Sequence, residues 1–233
     1  MIVGIMQPYF FPYLAYWQLI NAVDKFVLFD DVNYIKRGWI NRNNILLDKK
    51  KYLITLPLEG VSQNKLINEI RIVSDEKQRR KVLQTIESAY KKAPYFEEIM
   101  PMIEKNIMSC DTISELNYAT IKDVICYLEI STEIILSSDL NKNNDLKGQD
   151  KIIHIAELLG ADMYINSIGG TELYNKSDFA RRGIQLRFLE MGDINYKQFT
   201  DIFVPGLSMI DILMFNSKGG IHSMLNKYTL VEG

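Results

Sequence analysis

Ile2-Val3-Gly4-Ile5-Met6-Gln7-Pro8-Tyr9-Phe10-Phe11-Pro12-Tyr13 runs into a helical pattern that reaches Asp24, and Lys25-Phe26-Val27-Leu28-Phe29 follows at once. The first apolar run predicts a buried strand, and the two prolines fix the backbone of an aromatic loop and exclude regular helix from it. Leu14, Trp17, Leu19 and Ile20 recur at helical spacing, and the second apolar run has strand character. Strand, helix, strand makes a βαβ unit, which implies parallel strands joined by a right-handed crossover. Both strands then end at one crevice, with Met6-Gln7-Pro8 beside Asp30-Asp31, the arrangement α/β folds use to hold ligands.

Outward from that unit the alternation continues. Asn44 to Pro57 reads as a hairpin with a charged turn at Asp48-Lys49-Lys50-Lys51, an edge pair for the sheet, and Leu66 to Val73 as a further strand. Residues 74–128 are helical in three pieces, broken at Ala93-Pro94 and near Ser109-Cys110-Asp111; Ser74 is a weak cap, whereas Asp111-Thr112-Ile113-Ser114-Glu115 is a better helix start. Glu133 to Ser137 resumes the sheet, Asp150 to Leu159 is a helix stopped by Gly160, and Asp162 to Asn166 is another strand. A glycine loop over 167–174, a short helix over 175–182 and an apolar strand over 184–189 complete a second βαβ unit, and helices from Met209 and after Gly219-Gly220 close the chain. The expected architecture is a parallel-sheet, Rossmann-like α/β core with an inserted helical lobe and a helical C-terminus, all within one domain spanning 1–233.

Composition narrows the function. The 233 residues carry 27 Lys and Arg against 29 Asp and Glu, a net charge of -2, so nothing in the overall charge favours nucleic acid or a membrane surface. Hydrophobic residues at 47% and charged residues at 24% are those of a globular protein. Cys110 and Cys126 lack metal or redox spacing, and the N-terminal apolar run is too short for a signal peptide or a spanning helix, so a cytoplasmic protein is expected.

Chemistry-bearing residues cluster at the predicted strand ends. Gln7, directly after a buried strand, needs a hydrogen-bond partner, and Tyr9 and Tyr13 sit on the proline-braced loop. Asp30 and Asp31 are adjacent on extended chain and point to opposite sides, so one faces the crevice while the other caps a loop or pairs with Arg37 or Arg42. A divalent metal bound through one of them is conceivable, but no further ligand motif supports it. Tyr34, Arg37, Trp39, Asn41, Arg42 and Asn43 form a polar, aromatic loop suited to a phosphate or carboxylate ligand that carries a ring, although an arginine paired to an aspartate and a core Trp39 are the alternative. Asn166, Gly169 and Gly170 lie in a second strand-to-helix loop whose backbone N–H groups can meet an anion. His154 and His222 stand apart from any nucleophile, which leaves covalent catalysis without parts.

With these residues in view, the chain resembles the WbqC-like family of bacterial proteins, found with genes for surface polysaccharide (O-antigen) biosynthesis. The resemblance rests on Gly4 to Tyr13, Asp30-Asp31-Val32, Gly38 to Asn43, Ala89-Tyr90, Ala93 to Phe96, Gly169-Gly170, Leu173-Tyr174 and Leu207 to Asp211. The sequence departs from the family at Ala15, where Gly is usual, and at Asn33, where Gln is common. Tyr13-Leu14-Ala15-Tyr16 is also similar to the H-x-G-H helix start of nucleotidyltransferases, with tyrosines in place of both histidines.

The resemblance implies an enzyme that modifies a nucleotide-linked or lipid-linked sugar, by acyl or aminoacyl transfer that forms an amide. Asp30 or Asp31 is then the general base or a metal ligand, Arg37 and Arg42 bind phosphate or carboxylate, Tyr9, Tyr13 and Trp39 stack on or orient a ring, and Gln7, Asn41 and Asn43 hold polar groups. A nucleotidyltransferase or ATP-dependent ligase, and a non-catalytic sugar-nucleotide binder or assembly protein, are the alternatives. Expected partners are a nucleotide-sugar or glycolipid substrate, an acyl, aminoacyl or nucleotide donor, and a second copy of the chain; nucleic acid and a membrane span are not expected. The sequence names no cofactor.

Overall fold

The protein is described here by a computed structural model covering residues 1–232. Strand β1 (Ile2–Met6), helix α1 (Leu14–Asn21) and strand β2 (Lys25–Leu28) form the expected βαβ unit, with β1 and β2 parallel and Met6 level with Leu28. Every residue of α1 from Leu14 to Ile20 is buried, the mark of a helix enclosed on all sides. Its Gln18 reaches the C-terminal region, donating through Nε2 to the carbonyls of Met224 and Lys227.

The next segment departs from the expected edge pair. Strands β3 (Arg42–Leu47) and β4 (Lys50–Thr55) form the hairpin, but as a separate two-stranded sheet. The positive φ angles of Asp48 and Lys49 make its two-residue turn. Strands β5 (Leu58–Glu59) and β6 (Arg71–Ile72) form a third small sheet, so the strand expected over 66–73 shrinks to two residues behind a 3-10 turn at Ile67–Glu69. That turn takes Val32 O and Asp30 O as backbone acceptors for Ile67 N and Asn68 N, which ties it to the loop instead of to a neighbouring strand.

Helices α2 (Glu76–Tyr90), α3 (Phe96–Ser109) and α4 (Ile113–Tyr127) are the three expected pieces. Asp75, not Ser74, caps α2 by accepting from Lys77 N, and Thr112 with Glu115 makes a full capping box on α4. Then come β7 (Glu133–Leu136), α5 (Gly148–Leu158), β8 (Met163–Ser167), α6 (Lys176–Ala180), β9 (Gln185–Met191), α7 (Met209–Phe215), α8 (Lys218–Leu225) and β10 (Tyr228–Val231).

The main sheet has the order β10-β9-β8-β1-β2-β7, parallel throughout except for β10, which pairs antiparallel with β9. This is a Rossmann-like α/β fold. The C-terminus, expected to be helical, therefore ends as an edge strand. Tyr228-Thr229-Leu230-Val231 is too short and too exposed for its alternation to stand out in the sequence.

Side-chain alternation divides the apolar residues between the two faces of the sheet. Val3, Ile5, Val27 and Leu186 pack with Ile152, Ile155 and Ala156 of α5 and with Phe179 of α6. Phe26, Leu28, Ile165 and Leu189 face α1, α7, α8 and the three helices α2 to α4 in one continuous apolar cluster. The 74–128 segment thus shares its core with the sheet. Gly4 fits at the centre because a Cβ there would stand 3.1 Å from the Phe26 ring.

Candidate functional site

Strand β1 has β2 on one side and β8 on the other: from β1 the chain steps outward to β2 and β7, and from β8 it steps the opposite way to β9. Such a switch point opens a crevice at the carboxyl ends of the strands. A cleft of about 530 Å³ lies there, and Ile5, Met6 and Gln7 from the end of β1 and Asn166 and Ser167 from the end of β8 contribute to it.

The aromatic loop between β1 and α1 forms one wall with Tyr9 and Tyr13. Its backbone carbonyls are held by side chains from four other elements. Tyr16 Oη donates to Gln7 O at 2.9 Å and Trp17 Nε1 to Pro12 O at 3.0 Å, both from α1. Asn43 of β3 donates to Phe10 O and Phe11 O, Asn117 of α4 to Pro8 O and Ile40 O, and Ser208, the cap of α7, to Phe11 O. Phe11 sits at φ 42, a left-handed bend that these contacts hold in place. The loop is therefore a rigid platform, and Tyr9 and Tyr13 are presented from it. Burial pushes both phenols above their ordinary range, so they face the cleft neutral.

The 33–41 loop closes the mouth. Ile35 and Trp39 line the cleft and are half exposed, at 49% and 40%. Phe10 N donates to Trp39 O at 2.9 Å, which fixes this loop to the aromatic one. Lys36 and Arg37 are exposed between the two lining residues. The far wall comes from Gly148, Gln149 and Ile152 at the start of α5 and from Gly169, Gly170 and Tyr174 after β8. Asn166 organises that wall: its Nδ2 donates to Tyr164 Oη at 2.7 Å and Tyr174 Oη at 3.0 Å, and its Oδ1 accepts from Ser167 N. Gln149 is fixed by donating to Asp178 and accepting from Asn175 N.

The structure brings together Gln7, Tyr9, Tyr13, Trp39, Asn166, Gly169 and Gly170 of the sequence-derived set. It places the others away from the cleft walls. Tyr34 is buried and donates to Asn41 Oδ1 at 2.8 Å, while Asn41 Nδ2 donates to Leu56 O at 2.8 Å. Arg42 holds the turn beside it, giving Nε to Gly38 O and a terminal nitrogen to Arg37 O. Asn43 is one of the loop clamps, and Arg37, at φ 64, points its charge outward from that turn.

The two aspartates diverge as adjacent residues on extended chain must. Asp30 is buried and accepts from Ser138 N at 3.0 Å and Ser138 Oγ at 2.7 Å, anchoring the end of β2 to the chain after β7. Asp31 faces neither arginine. It holds Lys142 at 2.7 Å and Lys151 at 3.4 Å, both lysine side chains nearly fully buried. Burial disfavours the Asp31 carboxylate, but the Lys142 hydrogen bond and the charges of both lysines outweigh it, and its pKa lies below the usual range. Lys151 also lies over the ring of Phe29, which lines the cleft. Two cations around one carboxylate leave an excess positive charge behind that ring.

Sequence reading missed Gln149, Ser167 and Tyr174 as lining residues and Lys142 and Lys151 as partners of Asp31. Asn117 carried a usable signal: a lone amide within the apolar stripe Ile113, Leu116, Thr120, Ile121, Val124 must find partners in the core.

A mostly parallel sheet with a crevice at its switch point defines the class as a Rossmann-like α/β protein. The chain belongs to the WbqC-like protein family, which it matches over residues 7–223. It is 25% identical over 216 residues to a Mycobacterium tuberculosis protein described as uncharacterized, an alignment that spans 91% of this chain and 92% of the relative. No helix among the described residues is long and apolar enough to cross a membrane.

Proposed function

We propose that this chain binds the sugar of a nucleotide-linked or lipid-linked intermediate in the assembly of bacterial surface polysaccharide. One observation carries the reading: the cleft combines the aromatic groups of Tyr9, Tyr13 and Trp39 with the amides of Gln7, Gln149 and Asn166, and no Asp, Glu, Lys, Arg or His lines it. A pyranose ring offers apolar C–H faces to stack on aromatics and hydroxyl edges to bond to amides, and it carries no charge to leave unpaired. The phosphates of such a ligand fit the mouth, where Lys36 and Arg37 are exposed beside Ile35 and the backbone N–H groups at the start of α5 approach the cleft. The polysaccharide setting is supported by the family resemblance.

The chemistry proposed for the bound sugar is transfer of an acyl or aminoacyl group from a thioester or ester donor to its free amine: the C–N bond forms as the donor's C–S or C–O bond breaks, and the amine proton leaves with the departing thiol or alcohol. Asp30 and Asp31 are engaged in anchoring and ion pairing, so this site would accelerate transfer through positioning of amine and donor, not through a strong base. The uncharged walls also favour a second reading, in which the chain holds or hands on the sugar without altering it.

Titration calorimetry with nucleotide-linked amino sugars tests the binding, and mass spectrometry of the same mixtures with acyl and aminoacyl donors separates the two readings. Wild-type protein is expected to bind, and Trp39→Ala to weaken binding about tenfold, the worth of one good stacking contact. Absence of binding across nucleotide-linked and lipid-linked sugars overturns the proposal.

A further inference from the structure

The main cleft has a small neighbour on the other side of a shared residue, Tyr13. This second, smaller cavity measures about 50 Å³ and is walled by Leu14, Met191, Ile194, Tyr196, Phe203 and Leu207. No residue around this slot carries a charge. Its lining side chains carry two hydroxyls, those of Tyr13 and Tyr196, and the second is already committed: it donates to Asp211 at 2.6 Å and accepts from Gln198 Nε2 at 3.4 Å. The Phe203 ring packs edge-on against Tyr196 at 5.1 Å, so the walls are pinned through a buried carboxylate.

A water needs roughly 10–15 Å³ and two to four polar partners. The slot has room for about three or four groups of that size, but apart from the Tyr13 hydroxyl its lining side chains offer water no uncommitted polar group. An apolar chain of about two to four carbons suits it. A longer chain exceeds its volume, and a charged group would be left unpaired.

We propose that this slot receives the short acyl chain of an N-acylated sugar whose ring lies in the main cleft, with Tyr13 as the shared wall. The inference rests on the reading of the cleft as a sugar site and extends it to the substituent. The same chain could arrive on the acceptor sugar or on a thioester donor, and the two sources are separable.

Affinities are measured by calorimetry for one nucleotide-linked sugar carrying a free amine, N-acetyl, N-butyryl or N-octanoyl group, and for S-acetyl and S-butyryl pantetheine. Wild-type affinity should rise about fourfold per buried methylene up to butyryl and fall for octanoyl. Met191→Trp enlarges a lining side chain at a residue that is 42% exposed, so the slot should fill while folding survives. In that variant the chain-length preference should vanish while the free-amine sugar binds as before; Ile194→Trp is the second filler. Chain-length dependence in the pantetheines alone assigns the slot to a donor. Equal affinity across both series overturns the proposal. If no sugar binds at all, the cleft reading fails by itself, and the slot is judged by soaking N-methylbutyramide into crystals. Density between Tyr13 and Phe203 that Met191→Trp abolishes supports it, and an empty slot ends it.

Discussion

The side-chain amide of Asn43 donates to two consecutive carbonyls of the N-terminal bend, Phe10 O at 3.0 Å and Phe11 O at 2.8 Å. It does so from a hairpin that is not part of the main sheet. Phe11 O has a further donor in Ser208 Oγ, whereas Asn43 is the side-chain partner of Phe10 O. Removing the amide leaves a buried carbonyl unpaired and loosens a left-handed bend. Asn43→Ala should lower the unfolding free energy by about 2–3 kcal/mol in urea titrations. Asn43→Asp should be worse, since it turns a carboxylate on two carbonyls. A variant that keeps its stability but loses ligand affinity would instead return Asn43 to the binding set.

How much of this was legible in the sequence depended on the kind of interaction. The strands and helices of both βαβ units follow from local periodicity, and Gln7, Tyr9, Tyr13 and Asn166 could be placed because a residue just past a buried parallel strand must lie at the crevice. Arg42, Asn41 and Asn43 share the composition of a ligand loop but are consumed by backbone groups of that loop and of its neighbours. Whether an amide faces a carbonyl or a ligand is decided by long-range packing, which spacing does not encode. The partners of Asp31 lie 111 and 120 positions away, beyond any local pattern.

Asp31 separates a structural role from a catalytic one. Replacing it by Asn leaves Lys142 and Lys151 buried without a counter-charge, and breaking such a pair costs about 3–5 kcal/mol. Asp31→Asn should therefore lower the melting temperature clearly at pH 7. The folded carboxylate has a depressed pKa, so its stabilisation is present above the unfolded value of about 3.9 and is lost as pH falls through the folded one. The stability gap between wild type and variant should narrow below about pH 4. A general base would show the opposite signature, with activity abolished and stability intact.

Asp211 pulls the other way. It is fully buried and accepts from Tyr90 Oη at 2.8 Å, Tyr196 Oη at 2.6 Å and Gln198 Nε2 at 2.8 Å. Burial raises its pKa despite these three donors. Its contribution is then complete below the unfolded carboxylate value and declines as pH rises through the folded one. Comparing wild type with Asp211→Asn across pH 3 to 7 should show wild type losing this increment of stability toward neutral pH while the variant does not. Asp211→Ala, which strands three donors at once, should cost several kcal/mol at every pH.

Gly170 tests whether Asn166 sets the far wall of the cleft. A Cβ at Gly170 would stand 3.1 Å from Asn166 Oδ1, closer than ordinary packing allows. Asn166 cannot retreat without releasing Ser167 N, Tyr164 or Tyr174, to each of which it is bonded. Gly170→Ala should then shift the amide and with it the Tyr174 hydroxyl, which lines the cleft. The expected result is a loss of sugar affinity of about tenfold with a stability change near 1 kcal/mol, because the aromatic packing of Tyr174 on Tyr164 and Phe179 persists. Tyr174→Phe keeps the ring and removes only the hydroxyl, so a matching loss of affinity would assign the effect to that group. If Gly170→Ala binds like wild type while Tyr174→Phe does not, the hydroxyl acts without positioning by Asn166.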